Sequence, residues 1–380
     1  MSLVPPPLKA SNNPKLGNTG YPYAVQQGLV EPAILETLRV WDEDPREQPL
    51  FHRWLPPAGA PMGRPDWTGN IRIDPGGYSP LSAPEADATT VEDYYTKTHW
   101  NAYTVKKGIT YNAMDRVHGH TDLINNRTRE MIRYNKRAVD IWTSRFILGD
   151  SVARNLFNPT GEFNEYVIEF DVTYGATKDQ IDGSGSDPLE VIDDAIDEGE
   201  YQGSPDEFRP TLIVGQKGHK ALKNHPLMRD LIQRSDNTAL QKLIGSVEGG
   251  ASYGFHGVDV MKFTGSYKTG AAGEGNYERA SGGFTKVTTT NKRRRYLLED
   301  PNDPTKECAL LIWGELGNIR YAQTDPRGTD FGAGMGYVRG PVEDVKHGIW
   351  EASIEHMFCP CIENPFGLVV LKNFCDSWQA

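Results

Sequence analysis

From Asp122 to Phe157 the apolar side chains return at the helical period, with Ile124, Met131, Ala138, Trp142, Phe146, Gly149, Ala153 and Leu156 on one stripe. This predicts a single unbroken helix of about 35 residues, roughly 50 Å long. Arg127, Glu130, Arg133, Lys136 and Asp140 pair at i,i+3 and i,i+4 spacing away from the stripe, and Ile141, Ile147, Leu148 and Val152 add apolar side chains in the second half. The second half is therefore expected to be covered from several directions, as a spine on which other elements lie. Ile124, Met131, Trp142 and Phe146 are its expected packing residues. Thr121 or Asp122 supplies the N-cap oxygen, and Asn158-Pro159-Thr160-Gly161 ends the helix.

Alternation with period two predicts strands on both flanks of the spine. Tyr103 and Val105, then Ile109 and Tyr111, flank Lys107-Gly108 and read as a hairpin. Residues Tyr166 to Tyr174 read as a half-buried antiparallel strand. Near the end of the chain Trp350, Ala352, Ile354, His356 and Phe358 share a face, Cys359 to Pro365 reads as a turn, and Phe366 to Leu371 reads as a returning strand. These closing strands are expected to pair with the strand after the spine.

Between the flanks the pattern changes at Ile181-Asp182-Gly183-Ser184-Gly185-Ser186, where a boundary is placed. A helix follows, capped by Asp187 with Pro188 in its first turn and Gly199 as its stop. Thr211–Val214 reads as a fully buried strand, Gln216–Asn224 and Pro226–Gln233 as short helices, and Gly257–Phe263 and Cys308–Gly314 as further strands around a loop from Ser266 to Thr290. Alternating strands and helices describe a compact α/β or α+β unit inserted between the flanks.

Composition changes this picture at the front of the chain. Residues 1 to about 90 hold more than half of the 26 prolines, yet aromatics recur there at Tyr21, Tyr23, Trp41, Phe51, Trp54, Trp67 and Tyr78. An irregular arm of this kind buries little against itself, so a neighbouring subunit is its expected support. The net charge of -11 argues against a free nucleic-acid binder held by a basic surface. No stretch is apolar for long enough to span a bilayer as a helix, and neither an apolar leader nor a membrane partner is expected. Four cysteines in 380 residues are too few for a disulfide scaffold, which fits a reducing cytosol.

Candidate chemistry is sparse. Gly215-Gln216-Lys217-Gly218, between a strand and a helix, is a candidate anion-binding turn without the full phosphate-loop spacing. Gly332-Ala333-Gly334-Met335-Gly336 reads as a loop, and His118-Gly119-His120 has no third ligand at a recognised spacing. His356, Cys359, Cys361 and Cys375 form a candidate zinc set whose Cys-x-Cys spacing is narrower than structural zinc sites use. No nucleophile, paired-carboxylate or HExxH pattern appears, so no catalytic residue or cofactor is assigned. Lys292, Arg293, Arg294 and Arg295 are the densest basic run and are candidates for phosphate or inter-subunit contacts.

The order of elements resembles the major capsid proteins of tailed bacteriophages, the Johnson or Hong Kong-type fold, and most of all the lambda-type coat-protein family. The residues that carry the likeness are AYTVKKGITYNAMD from Ala102, Thr128 to Arg145, DPLEVIDDAI from Asp187, TLIVGQKGHKALKNHPLMRDLI from Thr211 and ENPFGLVVLKNF from Glu363. The resemblance implies an α+β fold: an N-terminal arm (1–45), an extended loop and hairpin (46–110), a peripheral β-sheet domain with the spine helix 122–157 (111–178 and 341–380) and an inserted axial α/β domain (179–340). It further implies self-assembly as hexamers and pentamers into an icosahedral head around double-stranded DNA. The expected partners are other copies of the chain, scaffold, portal and decoration proteins, and DNA on the inner face, with assembly in the host cytoplasm and residence in the virion. An encapsulin-like nanocompartment shell is the alternative, and a metal-dependent enzyme a more distant one.

Overall fold

The structure, a computed structural model, describes residues 49–59, 66–72, 95–111, 121–171, 188–201, 210–224, 253–255, 258–263, 265–268, 277–280, 283–286, 294–322, 337–344 and 349–376. Its helices are α1 (Thr121–Ile147), α2 (Ser151–Phe157), α3 (Glu162–Tyr166), α4 (Pro188–Tyr201) and α5 (Gln216–Asn224). Its strands before the spine are β1 (Pro57–Gly59), β2 (Asp66–Arg72), β3 (Tyr95–Asn101) and β4 (Tyr103–Tyr111). After it come β5 (Ile168–Asp171), β6 (Thr211–Val214), β7 (Tyr253–Phe255), β8 (Val258–Lys262), β9 (Ser266–Lys268), β10 (Tyr277–Ala280), β11 (Gly283–Lys286) and β12 (Arg294–Tyr296). The last are β13 (Lys306–Ile312), β14 (Gly317–Ala322), β15 (Tyr337–Asp344), β16 (Ile349–Ile362) and β17 (Leu368–Asp376).

The expected spine is two helices, because Leu148-Gly149-Asp150-Ser151 is a stop followed at once by a start. Gly149 takes φ +87°, a left-handed value that glycine tolerates best, and the turn closes with Asp150 N–H on Arg145 O (2.9 Å) and Gly149 N–H on Phe146 O (3.4 Å). Asp150 then caps α2, its carboxylate accepting the Val152 N–H at 2.9 Å. Arg154 reaches back from α2 to Phe146 O (3.1 Å) and Ile147 O (3.2 Å), placing a cation on the last carbonyls of α1. The kink is thus fixed from both sides.

One sheet is organised by β16, whose 14 residues extend about 46 Å. Along one side β4 pairs with it antiparallel, from Trp350↔Tyr111 to Phe358↔Tyr103. Along the other side lie β15 and then β14, with β1 parallel to β14 beyond. The expected hairpin at Lys107-Gly108 is a continuous strand: Gly108 stands opposite Ser353 within the β4–β16 ladder. The expected turn from Cys359 is likewise strand as far as Ile362. Pro360 fits there because Ile319, opposite it, sends its N–H to Pro56 O instead, so the proline faces the side where β4 has already ended.

The second sheet runs β5-β17-β13-β6-β8-β7. Both of its faces are covered, which is why Thr211–Val214 is buried throughout. Leu212, Val214, Ala309, Leu311, Val369 and Leu371 pack with Ile192 and Ala195 of α4 and Leu222 of α5. Ile213, Leu310, Ile312, Leu368 and Val370 join the core of the spine and the first sheet. β5 pairs parallel to β17, from Val369↔Ile168 to Lys372↔Asp171, and is not antiparallel as expected. Because β17 lies between β5 and β13, the domain division drawn at residues 179 and 341 separates hydrogen-bonded neighbours.

Two further expectations change. Helix α4 continues through Gly199 to Tyr201; this glycine is a packing position, since a Cβ there would come within 2.5 Å of the Trp313 ring. The loop expected from Ser266 to Thr290 carries β9, β10 and β11. The expected helix Pro226–Gln233 lies outside the described residues.

Candidate functional site

The front of the chain is anchored to its own body where it is described. Phe51, Trp54 and Leu55 are buried, with Phe51 and Trp54 5.4 and 5.9 Å from the Phe263 ring. The backbone holds them too: Leu316 donates to Trp54 O (2.8 Å) and Ile319 to Pro56 O (3.1 Å). For residues 49–59 the expected neighbouring subunit is therefore replaced by intramolecular packing. Residues 1–48 lie outside the described residues.

Phe146 gathers the surrounding elements into one aromatic cluster. It is fully buried, stacked on Phe163 of α3 at 4.7 Å and edge-on to Phe157 of α2 and Trp100 of β3, each at 6.0 Å. Phe157 continues the cluster to Phe358 of β16 at 5.7 Å and to Trp142 at 6.5 Å. Trp142 is half-buried, and the Arg145 guanidinium lies 4.4 Å from its ring centre. Ile124 and Met131 lie on α1, but their side chains are outside the described residues.

Polar contacts seat the β2–β3 ribbon on the same place. Asn158 Nδ2 donates to Thr98 Oγ1 (2.6 Å) and His99 O (3.0 Å), its Oδ1 accepts the Phe163 N–H (3.2 Å), and the Thr98 hydroxyl donates to Glu162 (2.9 Å). Trp67 and Trp100 stand opposite each other in the ribbon ladder and are both buried. Arg154, from the kink, also pairs with Glu169 of β5 (2.8 Å), and Lys372 of β17 pairs with the same carboxylate. Burial would raise the Glu169 carboxyl, but the Lys372 hydrogen bond and the two cations hold it below the ordinary range.

The anion-binding turn is occupied by the chain's own carboxylate. Glu307 of β13 accepts the Gly218 N–H at 2.7 Å and the Lys217 N–H at 3.4 Å, at the N-terminal end of α5. Gly215 makes the room, since a Cβ there would stand 2.3 Å from Glu307 Oε1. Burial pushes the Glu307 carboxyl up to about 7, against the pull of those two amides and of the Lys217 charge. A group raised from 4.5 contributes stability that is complete below about 4.5 and lost as pH rises through about 7. Urea denaturation is therefore expected to show stability falling between pH 5 and 7, by up to about 1.4 kcal/mol per pH unit for each such group, and levelling above. Replacing Glu307 by Gln should make that slope shallower, and an unchanged slope would remove Glu307 from the account.

The other candidates are dispersed. Among the described residues no three His, Cys, Asp or Glu side chains gather to hold a metal. All four cysteines are buried free thiols, with Cys359 and Cys361 in one core cluster and Cys375 in the other. Cys359 is pushed far up by burial, reinforced by its hydrogen bond with Cys361, and its Sγ lies 3.9 Å from Phe157 O. The side chain of His356 is outside the described residues, as are Gly332–Gly336, His118-Gly119-His120, Lys292 and Arg293. Arg294 and Arg295 lie in β12, paired with Lys268 and Tyr267 of β9.

No family model and no curated protein matches the chain. Its backbone is similar to solved structures. One is a prophage capsid protein from E. coli CFT073, with 16% identity, a TM-score of 0.49 and coverage of 90% of this chain and 97% of that one. A second is the capsid of Ralstonia phage GP4 (8% identity, TM-score 0.48, 87% and 93% covered). A third is the SrpI encapsulin complex of Synechococcus elongatus PCC 7942 (13% identity, TM-score 0.45, 88% of each chain).

Proposed function

We propose that this chain is a structural protein whose copies assemble, as hexamers and pentamers, into the icosahedral head of a tailed bacteriophage around double-stranded DNA. The observation that carries this reading is the union of the 27-residue helix α1 with the 14-residue strand β16 and its partner β4, in the element order of the sequence resemblance. Sheet edges support it. Among the described residues the outer edges of β4, β15, β5 and β7 pair with no further strand, and such edges are templates for contact between copies. Closed symmetry covers them in an assembly, and obligate interfaces commonly bury more than about 2,000 Å². On this reading Lys292 to Arg295 meet phosphates or an acidic neighbour, and scaffold, portal and decoration proteins act beside the shell. Assembly then takes place in the host cytoplasm and the product is the virion.

Electron microscopy of the purified protein tests the proposal. Closed particles are expected, carrying DNA when isolated from an infection. Particles that enclose a protein cargo would favour the nanocompartment, and a monodisperse monomer of 42.3 kDa would overturn both shell readings.

A further inference from the structure

Residues Pro49–Gly59 form a strap over the junction of α1 with the two sheets. The first turn of the strap, Leu50–Arg53, has no side-chain cap of its own, because Pro49 precedes it. Its cap comes from the spine: the Phe51 N–H donates to Asp140 Oδ1 at 3.3 Å, 89 residues along the chain. Beside that contact, His52 Nε2 lies 2.7 Å from the Tyr321 hydroxyl of β14, and Lys136 stands one turn before Asp140 on α1. Lys136, Asp140 and Tyr321 are all buried. The titratable groups gathered there are therefore Asp140 and Lys136 from the helix, His52 from the strap and Tyr321 from the sheet.

We propose that Asp140 makes the strap a proton-operated clasp, seated over the spine while the carboxyl keeps its proton and lifting as the carboxyl ionises. An ionised Asp140 in this place is held by backbone amides of the strap and is otherwise cut off from water, which disfavours the charged form. Lifting eleven residues hydrates it without dismantling α1, whose C-terminal half is fixed by the Phe146 cluster. The chemistry agrees: burial pushes Asp140 up to about 7, the amides of Leu50 and Phe51 pull the other way, and no charged group contributes. His52 does not compete for the proton in this range, because burial and then Lys136 lower it to about 4.

The sign follows from the raised value. A lifted, hydrated Asp140 returns to about 3.8, so the seated strap retains a proton that the lifted strap releases between those limits. Lifting becomes more favourable by up to tenfold per pH unit, about 50-fold from pH 5 to 7, and levels off above.

Hydrogen exchange of the Trp54 and Leu55 amides in the full-length protein, corrected for intrinsic rate, reads the opening constant. Wild type is expected to open about 50-fold more at pH 7 than at pH 5. Asp140→Asn, which still accepts the Phe51 N–H and cannot ionise, should change less than about threefold over the same range. Asp140→Leu, should the first variant not fold, loses the cap and is more open throughout, but equally flat. Glu307→Gln should leave the strap's wild-type profile intact. A wild-type opening constant independent of pH, or the full rise persisting in either Asp140 variant, overturns the proposal.

Discussion

Phe146→Ala is expected to lower the unfolding free energy by about 3–5 kcal/mol, the range for emptying an aromatic position in a core that cannot collapse around it. Collapse is blocked here because the neighbours are held separately. Phe163 is positioned by the Asn158 contact to its amide, Trp100 by the ribbon ladder, and Phe157 by α2, which Asp150 and Arg154 fix against α1. Urea unfolding followed by tryptophan fluorescence measures the loss. Hydrogen exchange in β3 should rise more than in β13, because Trp100 loses one of its two anchors while the second sheet keeps its own helices. A cost below about 1 kcal/mol would mean that the cluster is not the joint described here.

Gly215→Ala should be nearly as damaging although it adds one methyl group. Its Cβ would meet Glu307 Oε1 at 2.3 Å and Cδ at 2.4 Å, and side chains essentially never approach so closely. Either the carboxylate leaves or α5 moves, and both strip the Gly218 N–H of its acceptor inside the core. We expect a loss of about 2–4 kcal/mol by urea denaturation. Glu307→Ala in the same chain removes the obstacle, so the double variant should lose less than the sum of the single variants by at least about 1 kcal/mol. Additive losses would show that the glycine serves something other than the carboxylate.

Much of the scaffold was legible in local pattern. Thr211–Val214 is buried throughout, as a continuous apolar run predicts, and Gln216–Asn224 and the alternating run from Trp350 to Phe358 form the helix and the strand that their periods predict. At two places the sequence itself carries the signal that the structure follows. Gly149 falls on the helical stripe, but glycine followed by aspartate is a stop and a cap. Lys107-Gly108 has the composition of a turn, but Tyr103, Val105, Ile109 and Tyr111 keep one parity through it, which a continuous strand requires. Other features had no local signature. That β5 lies parallel to β17 depends on a partner two hundred residues away, and nothing in Ile168–Asp171 encodes direction.

The carboxylates illustrate the same limit. Glu307 sits in the strand KECALLI, just before five apolar residues, and Asp140 among the charges of a helix; each is assigned by a contact 89 residues distant. The one available hint was the pair Gly215 and Gly218, which marked a place where an anion fits without saying that the chain would provide it. For residues 49–59 of the proline-rich front the partner is equally remote in sequence. Phe51 and Trp54 pack on Phe263, which follows β8 and has no link to them in the local pattern.

The position of β17 constrains how the molecule comes into being. Every other strand of its sheet precedes it in the chain, yet β17 lies between β5 and β13. During synthesis, β5 has no neighbour and the flank of β13 stays bare until Leu368–Asp376 has left the ribosome. A growing polypeptide therefore cannot finish this layer early, and a message cut short before codon 368 should yield a product that clumps or is degraded.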